Sequence, residues 1–309
     1  MVDIKEIKSV KLAPFTLMSS SVNAILGFIA AIIMFIVFGT IASLIPGFEG
    51  IGSFITFAGA ALIIIYPISA FFISLATSFF SVLLYNGLVS RLGCIKLGLD
   101  GNELINIPVV SFSLILASIE AIWAFIIGIF LTAAILPVIA GLSSSIPTIS
   151  QAIANATNAT NATLPTGAAL GAGGAILAVF MIIGLPIIVF ITGFIGHALA
   201  AIFYNYVAVR IAKVQLNFTA TTGALFDLTS IPVVPAALAI AIVSAIFGFL
   251  RGLANLATLS ANGNAVGGVE SLISMTVGSF VGYFILTALI AIFYNLLAPR
   301  IGAVKLELE

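Results

Sequence analysis

The chain has 309 residues, 62% of them hydrophobic and only 6% charged, with a mean hydropathy of +1.35. A soluble domain cannot hide that much apolar surface, so the composition predicts an integral membrane protein. A formal net charge of zero gives no pull toward nucleic acid, and a single cysteine, Cys94, excludes an intramolecular disulfide and a cysteine-based metal cluster.

The N-terminal stretch to Pro14 carries charges of both signs and lacks the short apolar core of a signal peptide. Long apolar runs then predict helices near 15–45, 54–91, 109–139, 171–210, 233–257 and 270–300. A transmembrane β-strand would show roughly ten alternating residues, whereas these runs are continuous and far longer. Several exceed the roughly 20 residues a span needs, which implies tilt or kinks. Pro67 and Pro186 each remove a backbone donor inside such a run and predict a kink there.

After the second run, Gly93 suits a helix C-terminal cap, and Ile95, Leu97 and Leu99 alternate with Lys96 and Gly98 at strand period. Asp100-Gly101 is a hairpin signal, and 102–107 can run back as a partner strand. Val214, Leu216 and Phe218 alternate in the same way, with a looser turn over 219–223, as do Val304, Leu306 and Leu308. The natural partner of this last segment is the N-terminal stretch 7–12, with Val10–Leu12 against Val304–Leu306. The other reading is a set of amphipathic segments lying in the interface. Between the third and fourth runs, 141–170 is rich in Ser, Gly and Ala and predicts an extracellular low-complexity loop. It holds three glycosylation sequons, at Asn155, Asn158 and Asn161.

One phrase ends every second run: Tyr85-Asn86 with Arg91, Tyr204-Asn205 with Arg210, and Tyr294-Asn295 with Arg300. The spacing is identical, so the chain reads as three tandem copies of one unit. The predicted fold is an all-α integral membrane protein. It is one membrane domain of six transmembrane helices, formed by two-helix repeats 7–99, 103–218 and 223–308. The repeats would be related by a pseudo-threefold axis along the membrane normal, with short strand pairs on the cytoplasmic face. Nine of ten basic residues flank the repeat boundaries or the N-terminus, Arg251 being the exception. The positive-inside rule then predicts a multi-pass cell-membrane protein with both termini cytoplasmic.

Two positions are polar in all three copies: Asn23, Glu120 and Ser244 on the odd helices, and Ser78, His197 and Thr287 on the even ones. Under threefold symmetry they would form rings, either as a polar path or as interhelical packing contacts. The repeated tyrosines suit a headgroup belt, the arginines can snorkel, and the asparagines can satisfy exposed carbonyls.

The tail of each phrase, Tyr-Asn, apolar residues, Gly93 or Gly302, then an Ile/Val-Lys-Leu-x-Leu run, resembles the end of a two-helix transmembrane domain of unknown function. That domain occurs in archaeal and actinobacterial membrane proteins, and the sequon-rich loop would suit an archaeon. The resemblance covers about 15 residues per copy and the two-helix layout, and it implies no activity. The plan also looks like that of mitochondrial carriers. However, Pro14, Pro108 and Pro232 are not followed by the acid and base of that family's gate, so only the architecture is shared.

No nucleophile–base pair, metal cluster, phosphate loop or haem motif occurs, which predicts no catalysis, no cofactor and no metal. The first functional expectation is a structural or accessory membrane component, with lipid and other membrane-protein subunits as partners. The alternative is a pore or facilitator along the repeat axis. A membrane-embedded enzyme is a more remote reading.

Overall fold

The structure is a computed structural model that describes residues 2–44, 49–157 and 167–309. Six helices are long and apolar enough to cross a membrane: Leu12–Ile41, Phe57–Leu92, Val109–Thr148, Gly171–Ile211, Val233–Ala261 and Ala265–Ile301. At most 28% of the most apolar stretch of any of them is buried, so they turn apolar side chains outward, as lipid-facing helices do.

The order of elements follows the predicted alternation. Strand β1 (Asp3–Val10) leads into helices α1 (Leu12–Leu44) and α2 (Glu49–Leu92). A hairpin of β2 (Ile95–Asp100) and β3 (Glu103–Asn106) precedes α3 (Val109–Thr157). The next helical run comprises α4 (Gly167–Val179), a π turn (Phe180–Gly184), α5 (Leu185–Phe203), a second π turn (Tyr204–Ala208) and α6 (Val209–Ile211). Strands β4 (Val214–Gln215), β5 (Asn217–Thr222) and β6 (Leu225–Ser230) follow, then α7 (Val233–Ala261), α8 (Ala265–Ile301) and β7 (Val304–Leu308).

The chain divides into two compact units, Met1–Phe112 with Ala198–Glu309, and Ser113–His197. In the first, α1 packs on α2 and α8, and α7 packs on α8. Glycines set these approaches. A Cβ on Gly27 would lie 3.0 Å from the Ala70 Cβ and 3.4 Å from the Pro67 Cα, and Gly252 lies directly against Leu272. Small residues at such crossings let backbones meet closely where lipid offers no hydrophobic drive. In the second unit, Gly128 of α3 lies against the backbone carbonyl of Met181, within the first π turn.

Pro186 has its effect one turn early. The Leu185 N–H bonds to the Phe180 carbonyl, five residues back, so the ladder widens before the residue that lacks a donor. Pro67, in contrast, lies inside an unbroken α2.

The segment 141–170, expected as a loop, is a correction: α3 continues through Thr157 and α4 begins at Gly167. Its serines do not break the helix because their hydroxyls bond to carbonyls one turn back, Ser143 to Ile139 (2.8 Å) and Ser145 to Gly141 (2.9 Å). Asn155 falls near the end of α3, while Asn158 and Asn161 lie outside the described residues.

All strands join one antiparallel sheet in the order β4-β3-β2-β1-β7-β6-β5. Val10 stands opposite Leu306, and the Lys11 N–H bonds to the Lys305 carbonyl at 2.9 Å. Strand β1 stops at Val10 because α1 starts at Leu12. The separate strand pairs of the sequence reading are instead continuous, since β1 pairs with β2 as well as with β7. The two outermost strands, β4 and β5, are separated only by Leu216, whose N–H bonds to the Asn102 carbonyl at 2.8 Å. One stretch of chain therefore supplies both edges of the sheet.

Candidate functional site

The repeated Tyr-Asn dipeptides tie helices to strands. The Tyr85 hydroxyl donates to the Ile7 carbonyl (2.6 Å), Tyr204 to Leu104 (2.5 Å) and Tyr294 to Leu228. Each hydroxyl also accepts from the N–H ten residues on: Ile95 for Tyr85, Val214 for Tyr204 (3.1 Å) and Val304 for Tyr294 (3.2 Å). The rings are 6%, 3% and 6% exposed, so these tyrosines pack inward rather than forming the lipid-facing belt their position suggested. A phenol satisfied as both donor and acceptor can be buried at low cost.

Each asparagine grips one residue at a strand-to-helix junction. Asn86 Oδ1 accepts from the Val10 N–H and Nδ2 donates to the Val10 carbonyl, both at 2.9 Å. Asn205 does the same to Ile107, both at 2.8 Å, and Asn295 to Ile231, both at 2.8 Å. A primary amide holds its C=O and N–H side by side and so mimics a neighbouring strand. Asp lacks the donor. Arg91, Arg210 and Arg300 follow and are exposed.

An acidic residue precedes every tyrosine-bonded carbonyl: Glu6, Glu103 and Asp227. In the sheet these face Lys96, Gln215 and Lys305 in direct register. Lys96 Nζ is 2.7 Å from Glu6, Lys213 Nζ 2.6 Å from Glu103 and Lys305 Nζ 3.4 Å from Asp227. Sequence reading missed these acids. Their signal was the spacing acid, apolar residue, two residues, then Val10, Ile107 or Ile231.

Hydrogen bonds from Lys8 and then Lys96 hold the Glu6 carboxyl down at about 2, against an ordinary 4.5. Lys213 lowers that of Glu103. A carboxyl depressed in the folded state contributes stability that is fully present above its unfolded value and fades as pH falls through the folded one. The thermal midpoint is therefore expected to drop between pH 4.5 and 2. Glu6→Gln should flatten part of that drop, and a variant curve parallel to the wild type across this window would remove Glu6 from the account. Cys94 is buried and burial pushes its thiol pKa up, which leaves it a packing residue.

Within the spans, several polar side chains bond inside their own helix pair. His197 Nε2 of α5 lies 2.9 Å from Glu120 Oε1 of α3. Gly193, one turn before His197, lies beneath the Glu120 carboxylate, where any Cβ would collide with it. Asn23 Nδ2 of α1 donates to Ser74 Oγ of α2 (3.0 Å) and to its own Ser19 carbonyl (2.9 Å). Ser78 turns to the Ser74 carbonyl of its own helix. Ser244 and Thr287 are half-buried on α7 and α8, where the interhelical bond comes instead from Asn255 to Ser271 (3.1 Å). The aligned positions thus have different uses in the three pairs, because side-chain length decides which neighbour is reached.

Among the described residues, no three His, Cys, Asp or Glu side chains converge on a point that could hold a metal ion. Comparison with protein-family models, with curated proteins and with solved structures finds no match to this chain.

Proposed function

We propose that the chain is a structural or accessory component of a cell membrane, without catalysis. In this reading the three helix pairs are related by a pseudo-threefold axis along the membrane normal, and the sheet caps their cytoplasmic side. Lipid and other membrane-protein subunits are its partners. One observation carries the reading: the Tyr and Asn side chains at every repeated junction are committed to backbone groups and so hold the strands to the helices. The repeat relation is supported by the Asn-gripped residue lying three after the Tyr-bonded one each time, and by the matching acid registers. The orientation is supported by Lys5, Lys8, Lys96, Lys213 and Lys305, all on or beside the strands. The likeness to a two-helix transmembrane domain family adds no activity.

The second reading, a facilitator for a small solute or ion, is favoured by the Glu120–His197 pair. Its side chains are 45% and 26% exposed within a span, and intramembrane ionisable groups often mark a path. Purified protein in liposomes is expected to add no proton or cation flux over protein-free vesicles. Glu120→Gln should keep the thermal midpoint within about 4 °C, the shift of one hydrogen bond of ordinary strength. A pH-dependent flux that Glu120→Gln abolishes would replace the structural reading with the facilitator.

A further inference from the structure

Asn23 sits between the apolar side chains Leu26, Ile29 and Ile33 and the hydroxyls of Ser69, Ser74 and Thr77, and the direction of its amide is set by chemistry. Its partner on α1 is the Ser19 carbonyl, which can only accept, so the nitrogen must point there. The same nitrogen donates to Ser74 Oγ. The oxygen is left over, and among the described residues no donor reaches it. Asn23 is nevertheless exposed. An amide oxygen without a donor is unfavourable wherever water is excluded.

Two cavities meet at this residue. One of about 380 Å³ lies among α1, α2 and α8, with Leu26 and Leu289 in its wall. The other, about 350 Å³, runs along α2 past Ser69. Asn23, Tyr66 and Ala70 line both, so the crevice is continuous. Gly27, where a Cβ would press on Ala70, lets α1 and α2 approach closely along it. No acidic or basic side chain lines either cavity. Mostly apolar walls with a few placed polar groups, at this size, are the usual make-up of a small-molecule site.

We propose that this crevice binds an uncharged, hydroxyl-headed long-chain lipid, whose O–H donates to Asn23 Oδ1 while its chain lies against Leu26 and Leu289. The absence of lining charge disfavours fatty acids and phospholipid headgroups, which would bring an anion into the crevice with no cation to meet it. The open acceptor disfavours ethers and esters, which bring no donor.

The test uses the full-length protein in phosphatidylcholine vesicles. It is photolabelled with hexadecanol carrying a diazirine in its chain and, in parallel, with the methyl ether of the same compound. The alcohol should label the α1 and α2 segments that line the crevice about fivefold above the ether, the equilibrium weight of one ordinary hydrogen bond. Excess unlabelled hexadecanol should compete. Asn23→Leu should reduce alcohol labelling to the ether's level. Because Asn23 also ties α1 to α2, Leu289→Trp serves as the second variant: it fills the crevice from α8 without touching the Asn23 bonds and should exclude both probes. Equal labelling by alcohol and ether, spread over all lipid-facing helices, would overturn the site. So would crevice labelling that neither variant changes.

Discussion

Asn295→Asp is expected to destabilise the protein by about 3 kcal/mol at neutral pH, because it removes a donor and sets two acceptors against each other. Asn295 Nδ2 now donates to the Ile231 carbonyl at 2.8 Å. In the variant a carboxylate oxygen would face that carbonyl, and neither could satisfy the other. The other half of the grip, from the Ile231 N–H, would survive. Thermal unfolding should show a midpoint lowered by about 5–10 °C. The defect should shrink in acid, since a protonated carboxyl regains an O–H that can donate. The same change at Asn86 and Asn205 should cost similar amounts, because the bonds there are the same pair at 2.8–2.9 Å. A large loss at one site and none at the other two would mean that the three junctions are not equivalent.

Gly128→Ala is the second large expected effect. A Cβ there would collide with the Met181 carbonyl, a backbone atom held in a π turn and unable to swing aside as a side chain could. Overpacking of this kind costs about 1–3 kcal/mol, and the upper end applies where the obstacle is backbone. Gly141→Ala, on the same helix with nothing within 4 Å of the new atom, is the control. It should be neutral or slightly stabilising, since alanine favours helix over glycine by up to about 1 kcal/mol. Equal midpoints for the two variants would remove the close crossing from the account.

The helices were legible because long apolar runs leave little choice, and the ends near Leu92, Val233 and Ile301 follow from Gly93, Pro232 and Gly302. The strand partners were legible from period and from Asp100-Gly101, where Gly101 takes a φ of +63°. The use of Tyr85 and Asn86 was not, because a dipeptide shows its own chemistry and not the carbonyl it will meet 78 residues away. The acids were missed for a similar reason: Glu6, Glu103 and Asp227 gain meaning only once the register puts Lys96, Gln215 and Lys305 opposite them. The serines of 141–157 misled in the other direction, since hydroxyls that compete with a helix in water can complete one by bonding back to it.

The order of strands in the sheet also sets an order in time. Strand β2 can meet β1 once the first helix pair has emerged, and β3 can follow at once through its hairpin. The second side of β1 is different: its partner is β7, at Val304–Leu308, nearly the whole chain later. During vectorial synthesis β1 must therefore keep one edge unpaired until β7 arrives. Contacts of such long separation form slowly, and an unpaired edge is where nascent chains go astray. Lys8 and Lys11, charged residues on and just after that waiting strand, are well placed to discourage wrong partners until Glu307 and Glu309 reach them.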